Sequence, residues 1–79
     1  MSTLIQRTDK EILMSFVASC IEDVADKLSL DYAEVYARMK AVGMIEKYII
    51  PHYEVLHTES RANVTNGIID TLKRWEEQK

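Results

Sequence analysis

Apolar residues recur every three or four positions through most of the chain, which is the spacing of one side of an α-helix. This pattern divides the sequence into four segments, and every periodic segment has the helical period. We therefore predict an all-α fold: a compact four-helix domain with a short third helix and an irregular connector before the last helix. Residues 1–79 should form one domain, with 1–7 as a loosely ordered N-terminus.

The first predicted helix begins at Thr8, whose hydroxyl can accept from the backbone N–H of Glu11 while the Glu11 carboxylate reaches back, as in a capping box. Beyond it, apolar residues recur every four positions and stack into a broad ridge on one side of a helix of about 20 residues. The ridge consists of Ile12, Leu13, Phe16, Val17, Cys20, Ile21, Val24, Ala25 and Leu28.

The second predicted helix has clear signals at both ends. Asp31 is the expected N-cap, with Glu34 completing a capping box and with Leu30 and Val35 at the two positions of a hydrophobic staple. Gly43 can adopt the left-handed conformation in which many helices end. These signals predict a helix between residues 31 and 43.

The third and fourth helices are separated by the proline of the chain. Residues 44–50 form a short apolar segment that Pro51 should end, because the residue before a proline is disfavoured in helical geometry. The last helix should start near Thr58 or Ser60, either of which can cap it. Gly67 costs up to about 1 kcal/mol in a helix interior, so we expect another helix to cross closely there. The apolar stripe of this helix consists of Val64, Ile68, Ile69, Leu72 and Trp75.

Length and composition limit the possible functions. A chain of 79 residues has little room for a catalytic pocket enclosed by its own core. Its single cysteine excludes an internal disulfide and is typical of a reducing compartment. No apolar run approaches the roughly 20 residues of a membrane span, and the N-terminal residues do not resemble a signal peptide. We expect a cytoplasmic protein that does not contact a membrane.

Negative charge is concentrated in the first half of the chain. The net charge is −3, and residues 1–34 carry seven acids against three bases. Such a cluster most often serves as a solvated helix face. The alternative is a docking face for a basic protein partner, for which the candidate residues are Glu22, Asp23 and Asp26.

Residues with catalytic or metal-binding chemistry are sparse. His52 and His57 are five positions apart, which is not the spacing of a zinc pair on a helix or strand. Cys20 lies on the predicted apolar ridge, where a thiol is usually inert packing and not a nucleophile paired with a histidine. No glycine-rich phosphate loop or calcium loop is present. We predict a protein that is not an enzyme, with no catalytic residues, no cofactor and no metal.

A helix-turn-helix that binds DNA is the alternative function. Residues 16–42 contain a helix, a short turn and a second helix, which could present Arg38 and Lys40 to a groove. Glu34 and the acidic turn before it would repel phosphate. The basic surface expected of a nucleic-acid-binding protein is missing, so a nucleic-acid partner is disfavoured.

The connector, residues 49–57, contains both histidines and allows two interpretations. In the structural one, Tyr53, Val55 and Leu56 plug the open end of the helical domain. His57 and Thr58 then hydrogen-bond the backbone where the last helix begins. In the functional one, the connector presents a recognition edge, made of His52, Tyr53 and His57. The structural interpretation is favoured, because a connector between packed helices must satisfy its own backbone polar groups.

Several short blocks of the chain resemble one protein family. They are Phe16, Cys20-Ile21-Glu22 and Ala25, then Glu34-Val35-Tyr36, Gly43-Met44-Ile45 and Tyr53-Glu54-Val55-Leu56-His57-Thr58. Together they resemble a family of small bacterial proteins catalogued as domain of unknown function 3791, over residues 11–72. The chain departs from the family pattern with Pro51-His52 before the last block and with Ser60 where glycine is expected.

The resemblance implies a function that composition and spacing do not reach. Genes of the family are expected beside genes for small ADP-ribosyltransferase-like proteins, in arrangements like toxin–antitoxin loci. The chain would then be a non-catalytic protein-binding module, the antitoxin or adaptor of such a pair. Its expected partners are the product of the neighbouring gene and, in a homodimer, a second copy of the chain. The resemblance transfers no binding residue.

Overall fold

The computed structural model describes residues 9–78, and these residues confirm the all-α prediction. Their helical elements are α1 (Asp9–Leu28), α2 (Tyr32–Ala41), a π-helical turn (Ile45–Ile49), α3 (Tyr53–Leu56) and α4 (Arg61–Glu77). The described part of the chain therefore has five helical elements where four were predicted, and it contains no strand.

Helix α1 is the centre of the fold because it packs against both α4 and α2. The described residues extend over 47 × 23 × 23 Å. One apolar cluster fills the space between the helices, and the π turn and α3 each add a residue to it. Its fully buried members are Ile21, Val24, Val35, Met39, Met44, Ile49, Ile68 and Leu72.

Helix α1 has the predicted length of 20 residues. The predicted cap at Thr8 lies outside the described residues. At the other end, the Leu30 N–H donates to the Ala25 carbonyl at 2.9 Å and the Ser29 N–H donates to the Asp26 carbonyl at 3.3 Å. This is a Schellman motif, and it places Ser29 in the left-handed region with φ +58°. A side chain in this conformation is strained, because its Cβ crowds the following carbonyl oxygen.

Helix α2 lies within the predicted boundaries, although one capping contact was predicted wrongly. Asp31 is the N-cap residue, but its side chain makes no capping hydrogen bond. Its carbonyl oxygen instead accepts from the N–H groups of Glu34 and Val35, both at 3.1 Å. Gly43 has φ +72° and ends the helix as predicted.

The connector is more regular than the sequence indicated. The π turn closes with a bond from the Ile50 N–H to the Ile45 carbonyl at 3.0 Å, and Pro51 follows it. Helix α3 then forms a single turn, in which the His57 N–H donates to the Tyr53 carbonyl at 2.9 Å. The prediction of an irregular connector was wrong here, because one turn is too short to show a helical period.

Helix α4 begins at the second of the two predicted caps. The Ser60 Oγ accepts from the Asn63 N–H at 3.2 Å, and the predicted stripe faces the core. The expected close crossing at Gly67 is wrong, because a Cβ placed there would meet no other atom within 4 Å. Nothing in the structure requires a glycine at this position.

Candidate functional site

Two consecutive pentapeptides of the form Tyr-x-x-x-His cover the connector and the residue before it. They are residues 48–52 and 53–57. The first begins in the π turn and the second contains α3. The identical spacing of Tyr48 to His52 and of Tyr53 to His57 is the sequence signal of this repeat.

Each tyrosine carbonyl holds the imidazole of the histidine in its own pentapeptide. The Nδ1 atom of His52 lies 2.7 Å from the Tyr48 carbonyl oxygen, and that of His57 lies 2.8 Å from the Tyr53 carbonyl oxygen. Because a carbonyl oxygen only accepts, both Nδ1 atoms carry the proton. Each Nε2 atom makes no hydrogen bond with another described residue, and both histidines are exposed. The Nε2 atoms are therefore available to a partner.

Two ring triads attach the pentapeptides to the long helices. Tyr53 stacks on His57 with ring centroids 4.6 Å apart and meets the edge of Phe16 on α1 at 5.1 Å. Tyr48 lies 5.0 Å from His52 and 6.2 Å from Trp75 on α4. Ring pairs of this kind stabilise by about 0.5–1.5 kcal/mol each. The two tyrosines, each in contact with its own histidine, are thus fixed against different helices.

The residues of the connector differ in how far they fit the structural interpretation. Leu56 is 8% exposed and belongs to the core, as the structural interpretation requires. Val55 is 58% exposed, so its predicted role in the plug is wrong. His57 does not bond the start of α4, and the Thr58 hydroxyl donates to the Val55 carbonyl at 2.8 Å. Leu56 is therefore structural, whereas His57 is exposed and its Nδ1 atom bonds the Tyr53 carbonyl.

The acidic residues of α1 surround one ion pair. Arg61 donates to both carboxylate oxygens of Asp23, at 3.0 and 2.9 Å. These hydrogen bonds and the charge of Asp23 raise the pKa of Arg61. Beside the pair lies an acidic concavity of about 520 Å³ in which Arg61 is the one basic residue. Its charged lining consists of Glu22, Asp23, Asp26, Asp31 and Arg61.

One cavity brings together residues from the two predicted candidate sets. It has a volume of about 240 Å³, and both Asp23 and His57 line it. Arg61 lines this cavity as well as the acidic concavity, so the two spaces are neighbours. We call it the histidine cavity. His52 and Tyr53 do not line it: Tyr53 stacks on His57, and His52 lies against Tyr48, whose ring in turn meets Trp75.

Cys20, which could act as a nucleophile if it were paired with a histidine, also lines the histidine cavity. Cys20 is 3% exposed. Burial raises the pKa of its thiol to about 11, the negative charge of Asp23 acts in the same direction, and Arg61 opposes both. Because the thiolate is the nucleophile, the environment of Cys20 disfavours the reactive form at neutral pH.

Two residue sets singled out for metal and DNA chemistry have the following geometry. Among residues 9–78, no group of three or more His, Cys, Asp or Glu side chains is arranged to hold a metal ion. Arg38, which was a candidate for reading DNA from α2, forms two hydrogen bonds with the Glu76 carboxylate at 2.8 and 2.7 Å. These bonds raise the pKa of Arg38 and engage its Nε and one of its Nη atoms.

The helices of the described residues also include none that is long and apolar enough to span a membrane. The fold and the site thus define a small all-helical domain with a histidine cavity beside an acidic concavity. The family model described as "Protein of unknown function (DUF3791)" matches residues 15–75, and the chain belongs to this family. No curated protein and no solved structure matches the chain.

Proposed function

We propose that this chain is a non-catalytic protein-binding module, the antitoxin or adaptor of a bacterial toxin–antitoxin-like pair. The observation that carries the proposal is the histidine cavity, where Asp23 and His57 line one space of about 240 Å³. One residue comes from the acidic candidate set and the other from the connector. Because these two residues lie close together, the acidic residues of α1 and the connector form one continuous recognition surface.

The chemistry of this surface suits a basic partner. The Nε2 atom of His57 can accept a hydrogen bond from a partner N–H, because Nδ1 already donates to the Tyr53 carbonyl. The carboxylates of Glu22 and Asp26 lie in the adjoining concavity and are solvated in the free protein. Opposite charges on the partner would speed association and set the orientation of the complex.

The rigidity of the surface also supports a binding role. His57 is stacked on Tyr53, and Tyr53 is held by Phe16 on α1. The ion pair of Asp23 and Arg61 joins α1 to the first turn of α4. A surface whose side chains are already positioned loses less conformational entropy when a partner binds.

The identity of the partner is inferred from the family resemblance. The partner proposed is the product of the neighbouring gene, an ADP-ribosyltransferase-like protein. Binding would then regulate that protein or present it to a third one. Its docking surface should carry lysine or arginine side chains, because the surface described above is acidic.

Calorimetric titration of the purified chain with the neighbouring gene product tests the proposal. His57→Ala should weaken binding about tenfold, since the loss of one hydrogen bond at an interface costs about 1.4 kcal/mol. His52→Ala is the matched control, because it removes the same imidazole–tyrosine contact outside the histidine cavity. Both variants should melt within a few degrees of the wild type, as both imidazoles are exposed.

A second pair of variants distinguishes an effect of the acidic surface from an effect of net charge alone. The double variant Glu22→Gln with Asp26→Asn should weaken binding and reduce its salt dependence. The double variant Asp70→Asn with Glu77→Gln removes the same charge from exposed positions of α4 and should not weaken it. Absence of binding, or equal losses in both double variants, would refute the proposed surface.

A further inference from the structure

A second concave surface lies away from the histidine cavity. It is an apolar groove of about 410 Å³ between the first half of α1 and the end of α2. Met14 on α1 and Tyr36 on α2 line it and are 45% and 42% exposed. The remaining lining residues are Val17, Lys40, Gly43, Ile45, Glu46 and Ile50.

Exposed apolar side chains are concentrated on these two helices. Of the five large hydrophobic residues that are exposed among residues 9–78, four belong to α1 or α2. They are Ile12, Met14, Tyr32 and Tyr36. Scattered single apolar residues are normal on a protein surface, but Met14 and Tyr36 line one groove together, and an exposed apolar groove indicates an interaction site. Met14 is suited to such a site, because a methionine adapts its shape to a partner.

Charges beside the groove indicate which partner fits it. Lys10 lies one helical turn before Met14 on the same face of α1, and Glu46 lines the groove. The ion pairs among the described residues are Arg38 with Glu76 and Asp23 with Arg61, so neither Lys10 nor Glu46 takes part in one. Among residues 9–78, the groove thus has an unpaired anion, Glu46, in its lining and an unpaired cation, Lys10, one turn from Met14, and a second copy of the chain carries the opposite charge for each.

We infer that the apolar groove binds a second copy of this chain through a two-fold symmetric contact. The α1 helices of the two copies run antiparallel, and each Met14 enters the groove of the other copy. This arrangement directs each Lys10 towards the Glu46 of the other copy, which gives two equivalent ion pairs, as a two-fold contact requires. None of the residues proposed to bind the neighbouring gene product is used, so the two inferences stand or fall separately.

A domain of this size gains from such a contact. A single core in a chain below about 70–80 residues supplies only a few kcal/mol of stability. Covering Met14 and Tyr36 removes apolar surface from water without a change in the fold. The melting temperature of the wild-type protein should therefore rise with protein concentration.

Sedimentation equilibrium over a range of concentrations tests the inference. The wild type should be a dimer at the higher concentrations, and Met14→Glu should be monomeric with unchanged helical circular dichroism. Lys10→Glu and Glu46→Lys should each raise the dissociation constant of the dimer about tenfold, because each places like charges opposite one another twice. Combining the two substitutions should restore the wild-type dissociation constant to within about threefold.

A charge exchange on another helix serves as the control. Asp70→Lys with Lys73→Glu exchanges charges on the exposed side of α4 and should leave the dissociation constant unchanged. A wild type that stays monomeric throughout would overturn the inference. A dimer that tolerates Met14→Glu, or one that the charge exchange does not restore, would place the contact elsewhere. If Met14→Glu abolished binding of the neighbouring gene product to a monomeric chain, the groove would belong to that protein instead.

Discussion

Leu56 is the residue through which the connector contributes to the core, so its truncation to alanine is the most informative stability test. Leu56 is 8% exposed and packs in the main apolar cluster. Val55, its neighbour on the same helical turn, is 58% exposed. The two positions differ in burial while sharing the same turn, and both N–H groups donate to the His52 carbonyl, at 3.0 and 2.8 Å.

The expected cost of Leu56→Ala follows from its surroundings. Truncation of a buried leucine usually costs about 2–5 kcal/mol, depending on the volume of the hole that remains. Leu56 lines the histidine cavity, which is open to solvent at its rim. The space left by the side chain would join that cavity and would not form a closed void. We therefore expect a loss in the lower half of the range, about 2–3 kcal/mol.

Urea unfolding followed by circular dichroism measures this loss. For a domain this small, the free energy of unfolding changes by about 1 kcal/mol per M of urea, so the midpoint should fall by about 2–3 M. That is most of the stability expected of such a domain. Val55→Ala should change the free energy of unfolding by less than about 0.5 kcal/mol.

Equal losses for Leu56→Ala and Val55→Ala would refute this reasoning, since burial is what distinguishes the two positions. A loss below about 1 kcal/mol for Leu56→Ala would show that the connector is not part of the cooperative core. In that case α3 would be free to move independently of the long helices. The assignment of Leu56 as a structural residue of the connector would then fail as well.

Three further substitutions test local features. Gly67→Ala should stabilise the protein by up to about 1 kcal/mol in urea unfolding, because the added Cβ meets no other atom within 4 Å; a loss would reveal a neighbour that the structure does not show. Ser29→Gly should stabilise it by about 0.5–1 kcal/mol, since glycine relieves the left-handed strain at φ +58°. The thiol of Cys20 has its pKa raised from 9.0 to about 11, so the unfolded chain loses this proton first. Stability should therefore fall as pH rises from about 9 to 11, and Cys20→Ala should fall less over the same interval.

The helix boundaries that were predictable are those set by local backbone chemistry. Gly43 ends α2 because glycine adopts a positive φ without strain, and Ser60 begins α4 because its hydroxyl accepts an orphan N–H. Both effects act within a few residues, so they can be predicted from the sequence. The length of α1 follows in the same way from its sustained apolar ridge.

Features that depend on distant parts of the chain were not predictable. The α-helical turn at Tyr53–Leu56 is short, and its burial of Leu56 and its contact with Phe16 depend on where α1 lies. The absence of a neighbour at Gly67 likewise depends on how α1 and α4 pack. An isolated sequence contains no direct information on either arrangement.

The residues of the candidate site could be predicted from the sequence, but their arrangement in space could not. The acidic residues of α1 and the histidines of the connector were each singled out from the sequence. The proximity of Asp23 and His57 requires α1 and the connector to meet, and Arg61 brings α4 to the same place. His52 shows the converse, because it shares its pentapeptide pattern with His57, yet its tyrosine meets Trp75 on α4 and not Phe16 on α1.

The contact between Tyr48 and Trp75 has an optical consequence. Trp75 is the single tryptophan of the chain, and its ring centroid lies 6.2 Å from that of Tyr48. The emission of an indole depends on its surroundings, so the emission of Trp75 reports whether Tyr48 of the first pentapeptide lies against α4. Fluorescence and circular dichroism recorded on one sample would therefore separate a local release of the first pentapeptide from unfolding of the whole domain.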